Sequence, residues 1–117
     1  MLPVPDYELA AKGFEEAGLL MMKNDITAFG ADTFFANSVF CLLAAGRATT
    51  AAEKLEEFKR LDKRFESTLD GVGCRVLVET FRGGNRNKTR DCVEGFKEVV
   101  VVAGWRSGLL DRIVERL

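Results

Sequence analysis

Residues 50–64 read Thr-Ala-Ala-Glu-Lys-Leu-Glu-Glu-Phe-Lys-Arg-Leu-Asp-Lys-Arg, and this stretch indicates the fold class. Its apolar residues recur at the spacing of one helix face, at Ala51, Leu55, Phe58 and Leu61. Thr50 and Glu53 have the spacing of a capping box, which satisfies two backbone N–H groups at a helix start. Acidic and basic side chains alternate over the remaining surface, as on a solvated helix face. The stretch therefore predicts an amphipathic helix that begins at Thr50.

The helical pattern continues on both sides of this stretch. We predict five further helices, over residues 7–22, 32–45, 69–81, 89–103 and 107–117. The segment 32–45 is apolar on most sides, so we expect it to lie at the centre of the fold. Gly46 follows it, and glycine accepts the left-handed backbone conformation that ends a helix. Ser107 is expected to cap the last helix.

One local signal conflicts with an all-helical fold. Val99–Val102 is a run of four β-branched residues, a composition that favours a strand. The sequence offers no evident second run to pair with it. We therefore expect tertiary packing to keep these valines helical.

Six helices joined by short loops predict three antiparallel hairpins. Similar segments surround Phe14, Phe58 and Phe96, which lie roughly 40 residues apart, as in tetratricopeptide-like repeats. Stacked helix pairs of this kind bury a shared core and use their outer surfaces to bind proteins. We predict a single all-α domain over residues 1–117, in which these hairpins close as a helical bundle. Its expected structural anchors are Phe58, Phe65, Phe96, Trp105, Leu109 and Leu110.

The composition excludes several classes of function. The chain has 17 basic and 18 acidic residues, so it has no net positive field to attract nucleic acid. It has no histidine, which removes imidazole-based catalysis and imidazole zinc sites. Cys74 has no evident base, and the carboxylates form no convincing catalytic pair. We therefore expect no enzyme, no catalytic or metal-binding residues, no cofactor and no nucleic-acid partner.

The cysteine pattern and the hydropathy indicate an intracellular protein. Three cysteines without a C-x-x-C motif are typical of buried thiols in a reducing compartment. The longest apolar run, Val39–Ala45, is too short to span a membrane. The first residues, Met-Leu-Pro-Val-Pro, do not have the pattern of a signal peptide. We expect a cytoplasmic protein that is peripheral to membranes and reaches them only through its partners.

A basic segment lies at residues 82–90. It contains Arg82, Arg86, Lys88 and Arg90 around two glycines and has no acidic residue. Glycines free backbone N–H groups and arginines bind carboxylates or phosphates bidentately, so this segment suits an acidic or phosphorylated partner. Its spacing is not that of a nucleotide-binding P-loop. The other interpretation of the segment is a solvated connector.

Four pieces of the sequence carry a family resemblance. They are Asp32–Phe35 leading to Cys41, then Ala52–Phe65, Cys74–Glu79 and Trp105–Ile113. The last piece, Trp-Arg-Ser-Gly-Leu-Leu-Asp-Arg-Ile, is the most specific. In this order they resemble the C-terminal region of the soluble NSF attachment proteins, the SNAP family with its alpha and gamma types. The resemblance covers the latter two thirds of the chain, and residues 1–31 share only a similar helix.

The resemblance implies both a fold and a function. The family fold is a twisted sheet of helical hairpins closed by a C-terminal helical bundle. The family function is that of a non-enzymatic adaptor in vesicle-mediated transport, which clamps the SNARE complex and recruits the NSF ATPase for its disassembly. The C-terminal end meets the ATPase through an electrostatic contact, acidic on the SNAP side. The corresponding partner-binding residues here are Glu79, Arg82, Arg86, Lys88, Asp111 and Glu115.

The sequence departs from the family at that end. Glu79 falls on an acidic position of the family, but the next acidic positions fall on Arg82 and Gly83, which reverses the local charge. The family's acidic tail and its N-terminal half lie outside the chain, so we expect a fragment of a longer protein or a shortened relative. The alternative function is a free-standing tetratricopeptide-like scaffold whose basic loop binds an acidic or phosphorylated protein.

Overall fold

The computed structural model describes residues 6–100 and 104–117. Six α-helices follow one another in these residues: α1 (Tyr7–Met21), α2 (Ala31–Ala44), α3 (Ala48–Leu61), α4 (Leu69–Arg82), α5 (Arg86–Val99) and α6 (Gly104–Glu115). Single 3₁₀ turns, Thr27–Gly30 and Phe65–Ser67, precede α2 and α4. The two described ranges contain no strand, and the all-α prediction is confirmed.

Helix α2 lies at the centre of the fold, as predicted. Eleven of its 14 residues are buried, and it packs against α1, α3, α4 and α6. Residues 27–44 have the length and mean hydropathy of a segment that could cross a membrane, but most of this segment is buried inside the protein. It therefore has the character of a core helix rather than of a membrane span.

Consecutive helices pack as antiparallel hairpins. In the α1–α2 pair, the Ser38 hydroxyl donates a hydrogen bond of 2.8 Å to the Ala11 carbonyl. Further along the same pair, a Cβ atom built on Gly18 would lie 2.5 Å from Phe35 Cε1. Helices α4 and α5 approach equally closely, since a Cβ atom on Gly73 would lie 2.7 Å from Phe96 Cε2. Glycine is thus required where an aromatic ring packs directly on a helix backbone.

Aromatic side chains fill the core between these hairpins. The rings of Phe35 and Phe58 are stacked with centroids 4.4 Å apart, and Phe65 meets each of them edge-on at 6.3 Å. Phe40 of α2 packs edge-on against Phe96 of α5 at 5.8 Å. Five of the predicted anchors are buried, namely Phe58, Phe65, Phe96, Leu109 and Leu110.

The sixth predicted anchor, Trp105, is not buried, and that expectation is wrong. Its side chain is 55% exposed and stacks on Phe14 of α1 with ring centroids 5.7 Å apart. The cause is its position on α6, whose inner face is formed by Arg106, Leu109 and their neighbours one turn on. At about 100° per residue, Trp105 lies at the edge of that face and covers the side of α1.

Two helix starts differ from the prediction. Helix α3 begins at Ala48, so Thr50 lies inside its first turn and the predicted capping box does not form. The reason is a tight turn: Gly46 has φ +78°, and Arg47 N–H donates to Leu42 O at 2.8 Å. Helix α5 begins three residues earlier than predicted because the Asn85 side chain caps it, accepting from Lys88 N–H.

The valine run and the start of α6 also differ from the prediction. Helix α5 ends at Val99, and Val100 is extended, with φ −124° and ψ 132°. The β-branched run therefore ends the helix at this point, as its local preference favours. Residues 101–103 lie outside the described part of the chain. Helix α6 begins at Gly104, so Ser107 lies within the helix and does not cap it.

The two glycines of α1 provide a matched test of this packing. We expect Gly18→Ala to lower the free energy of unfolding by about 1–3 kcal/mol, because its methyl group overlaps the buried Phe35 ring. Gly13→Ala meets no atom within 4 Å and should raise the same quantity by up to about 1 kcal/mol through helix propensity. Urea unfolding measures both. Two variants of equal stability would contradict the packing of α1 on Phe35.

Candidate partner-binding surface

All six residues predicted to face a partner are exposed, and the structure places them in two groups. Glu79 and Arg82 lie in the last turn of α4, and Arg86 and Lys88 in the first turn of α5. We name residues 79–90 the α4–α5 turn surface. Asp111 and Glu115 lie apart on α6.

The α4–α5 turn surface is held by a short connection. Gly83 N–H donates to Glu79 O at 3.1 Å and Gly84 N–H to Phe81 O at 3.0 Å. Gly84 has φ +72°, which a glycine adopts without strain. Asn85 then caps α5 through its side-chain oxygen, 3.0 Å from Lys88 N. The basic side chains on both sides of this turn are therefore held on ordered backbone.

The positive charges at the start of α5 oppose the local helix electrostatics. The first turn of α5 contains no acidic residue and begins with Arg86 and Lys88. A helix N-terminus carries a partial positive charge, so basic residues there are unfavourable by a few tenths of a kcal/mol or more. In the described structure Arg82, Arg86, Lys88 and Arg90 form no ion pair. Helix stability thus does not account for the basic residues at the start of α5.

Glu79 borders a polar groove between α3 and α4. The groove has a volume of about 280 Å³. Arg75 Nη1 lies 3.6 Å from Glu79 Oε1, and Lys59 Nζ lies 3.1 Å from Glu56 Oε1. The hydrogen bond to Glu56 raises the pKa of Lys59 above its usual value. Glu79 therefore stands among cations, and its carboxylate remains exposed to solvent.

The two acidic residues of α6 are paired within the protein. Lys97 Nζ lies 2.6 Å from Asp111 Oδ1, and Arg112 Nη1 lies 3.1 Å from Glu115 Oε2. Lys97 is on the last turns of α5, about 13 Å along the helix from Lys88 at 1.5 Å per residue. The structure therefore does not join Asp111 to the α4–α5 turn surface, and no sequence pattern indicates its pairing with Lys97.

A buried ion pair, Asp70–Arg106, was also missed by sequence reasoning. Arg106 Nη1 donates to Asp70 Oδ1 at 3.1 Å, and Nη2 makes an ion-pair contact of 3.1 Å with Oδ2. The guanidinium lies over the rings of Phe40 and Phe96, at 5.1 and 5.7 Å from their centroids. This pair attaches the start of α6 to the start of α4. No local pattern could reveal it, because its partners are 36 residues apart.

Asp32, at the start of α2, lies in the same acidic region. Its pKa is raised above the usual value, first because burial disfavours the charged form, then because Asp70 and Asp62 are negative. The charged form of Asp32 is therefore destabilising in the folded protein.

The cysteines do not resemble a nucleophile site. Burial raises the pKa of Cys41 to about 12, and it raises the pKa of Cys74 well above its usual value. The Cys74 thiol is fully buried and donates to the Ala36 carbonyl at 3.7 Å. In the part of the chain that is described, no three His, Cys, Asp or Glu side chains are grouped as metal ligands.

An apolar groove of about 480 Å³ lies between α1 and α6. Its walls include Tyr7, Phe14, Trp105 and Leu109, and Cys41 of α2 also lines it. The groove contains no carboxylate and no basic side chain. It explains why Trp105 stays partly exposed: the indole forms a wall of this groove.

The fold and these surfaces define an all-helical protein of antiparallel hairpins with an ordered, unpaired basic turn. The chain belongs to the soluble NSF attachment protein family, since it matches the family described as "Soluble NSF attachment protein, SNAP" over residues 3–117. The family match thus includes residues 3–31, where the sequence pattern alone showed only a similar helix.

Curated relatives agree with this assignment. The chain is 26% identical over 110 residues to the "Alpha-soluble NSF attachment protein" of Dictyostelium discoideum, covering 92% of this chain and 37% of the relative. It is 22% identical over 108 residues to the "Probable vesicular-fusion protein sec17 homolog" of Schizosaccharomyces pombe, with coverage of 92% and 37%. An "Alpha-soluble NSF attachment protein" of Vitis vinifera is 22% identical, with coverage of 95% and 38%. The chain spans under two fifths of the length of these relatives. No solved structure matches it.

The raised pKa of Asp32 predicts a pH dependence of stability. The folded protein holds this proton to a higher pH than the unfolded chain does, so the stabilisation is present at low pH and is lost as the pH rises through the folded pKa. Asp32→Asn should therefore raise the free energy of unfolding at pH 7 and change it less at pH 3. Urea unfolding at the two pH values measures this. The control, Asp25→Asn at an exposed loop position, should stay within about 0.5 kcal/mol. A destabilised Asp32→Asn at pH 7 would contradict the burial of this carboxyl.

Proposed function

We propose that this chain acts as a non-enzymatic adaptor in vesicle-mediated transport and membrane fusion. The family match over residues 3–117 supports this proposal, and so do relatives named for NSF attachment and for vesicular fusion. In this role the chain works in the cytoplasm and reaches membranes through its partners, an NSF-type ATPase and the SNARE complex. The proposed activity is SNAP-like recruitment of the ATPase to SNARE complexes for disassembly.

The observation that carries this proposal at residue level is the exposed carboxylate of Glu79 on an ordered helix end. From the family resemblance we expect an acidic, ATPase-facing residue at this position. Exposed charges at the rim of an interface set the rate and salt dependence of association more than its total affinity. Glu79 would therefore contribute an electrostatic contact that weakens as ionic strength rises.

A second function is favoured by the four unpaired cations of the α4–α5 turn surface. Arg82, Arg86, Lys88 and Arg90 are all exposed. Arginines on ordered backbone near a helix N-terminus are suited to bind carboxylates or phosphates. The alternative is therefore a tetratricopeptide-like scaffold that binds an acidic or phosphorylated protein through this basic turn.

Charge-reversal variants separate the two functions. The SNAP-like function predicts that the chain captures an NSF-type ATPase at low salt and that capture falls as salt is raised. Glu79→Lys should weaken capture about five- to tenfold, because one exposed contact becomes a repulsion. Glu16→Lys is the matched control, since it makes the same change at an exposed position of α1.

The scaffold function predicts binding of a different ligand, through a different residue. Arg86→Glu should abolish binding of an acidic phosphopeptide, whereas Arg60→Glu, an equal change on exposed α3 surface, should leave it unchanged. Phosphopeptide binding without any ATPase capture would contradict the SNAP-like function. ATPase capture that is indifferent to Glu79→Lys would show that the contact lies elsewhere on the chain.

A further inference from the structure

The outer side of the α4–α5 hairpin has an apolar face that no described helix covers. Leu69 is 61% exposed and Val99 66% exposed, although both helices pack against others. A groove of about 200 Å³ runs between α4 and α5 there. We name this the α4–α5 face. Helix α4 contributes Leu69, Val72 and Val76 to it, and α5 contributes Cys92, Gly95 and Val99.

The face is directed away from the rest of the described protein, since α4 packs on α2 and α3 and α5 packs on α6. On α5 it is a single stripe, because Cys92, Gly95 and Val99 are spaced i, i+3 and i+7. A Cβ atom on Gly95 would meet nothing within 4 Å, so another backbone can approach α5 closely there. An apolar groove with helix-spaced walls is the kind of surface that binds an amphipathic helix.

A second stripe of α5 is acidic and lies beside the apolar one. Asp91, Glu94 and Glu98 each come directly before a residue of the apolar stripe, so the two stripes are about 100° apart around the helix. All three carboxylates are exposed, and none forms an ion pair with any side chain in the described ranges. The α4–α5 face is therefore bordered by negative charge on its α5 side.

The cations of α5 lie elsewhere around or along the helix. Arg90 and Lys97 come directly before Asp91 and Glu98, so they lie about 100° further from the face. Lys97 points to α6, where it pairs with an aspartate. Lys88 lies one turn before the apolar stripe, at the end next to the α4–α5 turn. The two helix turns that carry the acidic stripe therefore have no cation between them and the face.

The charges on the other borders of the face are paired. On α4, Arg75 Nη1 lies 3.6 Å from Glu79 Oε1. Just before Leu69 in the chain, Glu66 Oε1 lies 3.6 Å from Lys59 Nζ. The uncompensated charge beside the apolar groove is thus negative, and it is complementary to basic residues on a partner.

We propose that the α4–α5 face binds an amphipathic helix of a partner protein, with basic residues beside its apolar side. The apolar side lies in the groove against Leu69 and Val99 and approaches most closely at Gly95. Asp91 and Glu98 are two turns apart, about 10 Å at 1.5 Å per residue, so they pair with basic residues spaced i and i+7. This inference goes beyond the adaptor function, and its test needs neither the ATPase nor SNARE proteins.

Two synthetic helical peptides of the length of α5, 14 residues, serve as probes. Both carry leucines at helix spacing on one side. The basic peptide has two lysines spaced i and i+7 beside the leucines, and the acidic peptide has glutamates at the same positions. We expect isothermal titration calorimetry with the full chain to show binding of the basic peptide, and binding of the acidic peptide at least about tenfold more weakly. Raised salt should weaken binding of the basic peptide.

Matched variants locate the contact on the α4–α5 face. Leu69→Ser should weaken binding of the basic peptide about tenfold. Leu20→Ser removes a leucine of equal exposure on α1, 63% against 61%, and should leave binding unchanged. Circular dichroism and the unfolding midpoint check that both variants are folded, since both positions are exposed.

Charge reversal tests the acidic stripe. Asp91→Lys combined with Glu98→Lys should reverse the preference, so that the chain binds the acidic peptide better than the basic one. Asp25→Lys combined with Glu16→Lys makes the same change at exposed positions outside the face and should keep the original preference.

Four results would overturn the proposal. The first is a basic peptide that does not bind at concentrations up to about 1 mM. The second is an equal loss of binding in Leu20→Ser and Leu69→Ser. The third is a charge-reversed chain that still prefers the basic peptide. The fourth is sedimentation equilibrium that shows the chain dimerising without peptide, with the dimer lost in Leu69→Ser, because a second copy would then occupy the face.

Discussion

A helix that is apolar on most sides is stable in water only when other helices cover those sides, and α2 is such a helix. Its buried residues include the whole run from Phe35 to Ala44. Helices α1, α3, α4 and α6 each take one side of it. The remaining structure follows from this requirement, because α5 completes a hairpin with α4 and packs on α6. The exposed turns at the ends of these helices are then fixed in position by the core.

The buried Asp70–Arg106 pair lies where the last helix covers α2. The guanidinium of Arg106 lies over Phe40 of α2 and bonds to the start of α4. Buried ion pairs contribute little net stability compared with apolar side chains of the same size, and in some proteins they select one arrangement. Here the pair joins the start of α6 to the start of α4. The negative charge of the Asp70 carboxylate also helps to raise the pKa of Asp32 nearby.

The sequence allowed most of the fold to be predicted but not its long-range polar contacts. Helix periodicity located all six helices, and the apolar character of residues 32–45 identified the central one. The errors have local causes: the turn at Gly46 starts α3 before Thr50, and the valine run ends α5 at Val99. Trp105 was misjudged because an apolar residue on an amphipathic helix can lie at the edge of its inner face.

The sequence allowed the exposure of the candidate partner-binding residues to be predicted, but not the ion pairs that they form. A glycine pair amid basic residues indicated an exposed turn, which the structure limits to residues 83–85, since Arg82 ends α4 and α5 begins at Arg86. The same sequence could not show that Asp111 is paired with Lys97, because side chains on two helices meet only in the folded chain. The basic residues at the start of α5 oppose the helix dipole. A local conflict of this kind is expected at functional sites, and it is one reason why we propose that this surface binds a partner.

Amide hydrogen exchange followed by NMR tests the enclosure of α2 most directly. If the other helices cover α2 on all sides, its amides from Val39 to Leu43 exchange only when the whole protein unfolds. Their free energy of exchange should then equal the global free energy of unfolding from urea titration and should be the highest in the chain. Exchange of these amides at a clearly lower free energy than those in α3 or α5 would contradict the central position of α2.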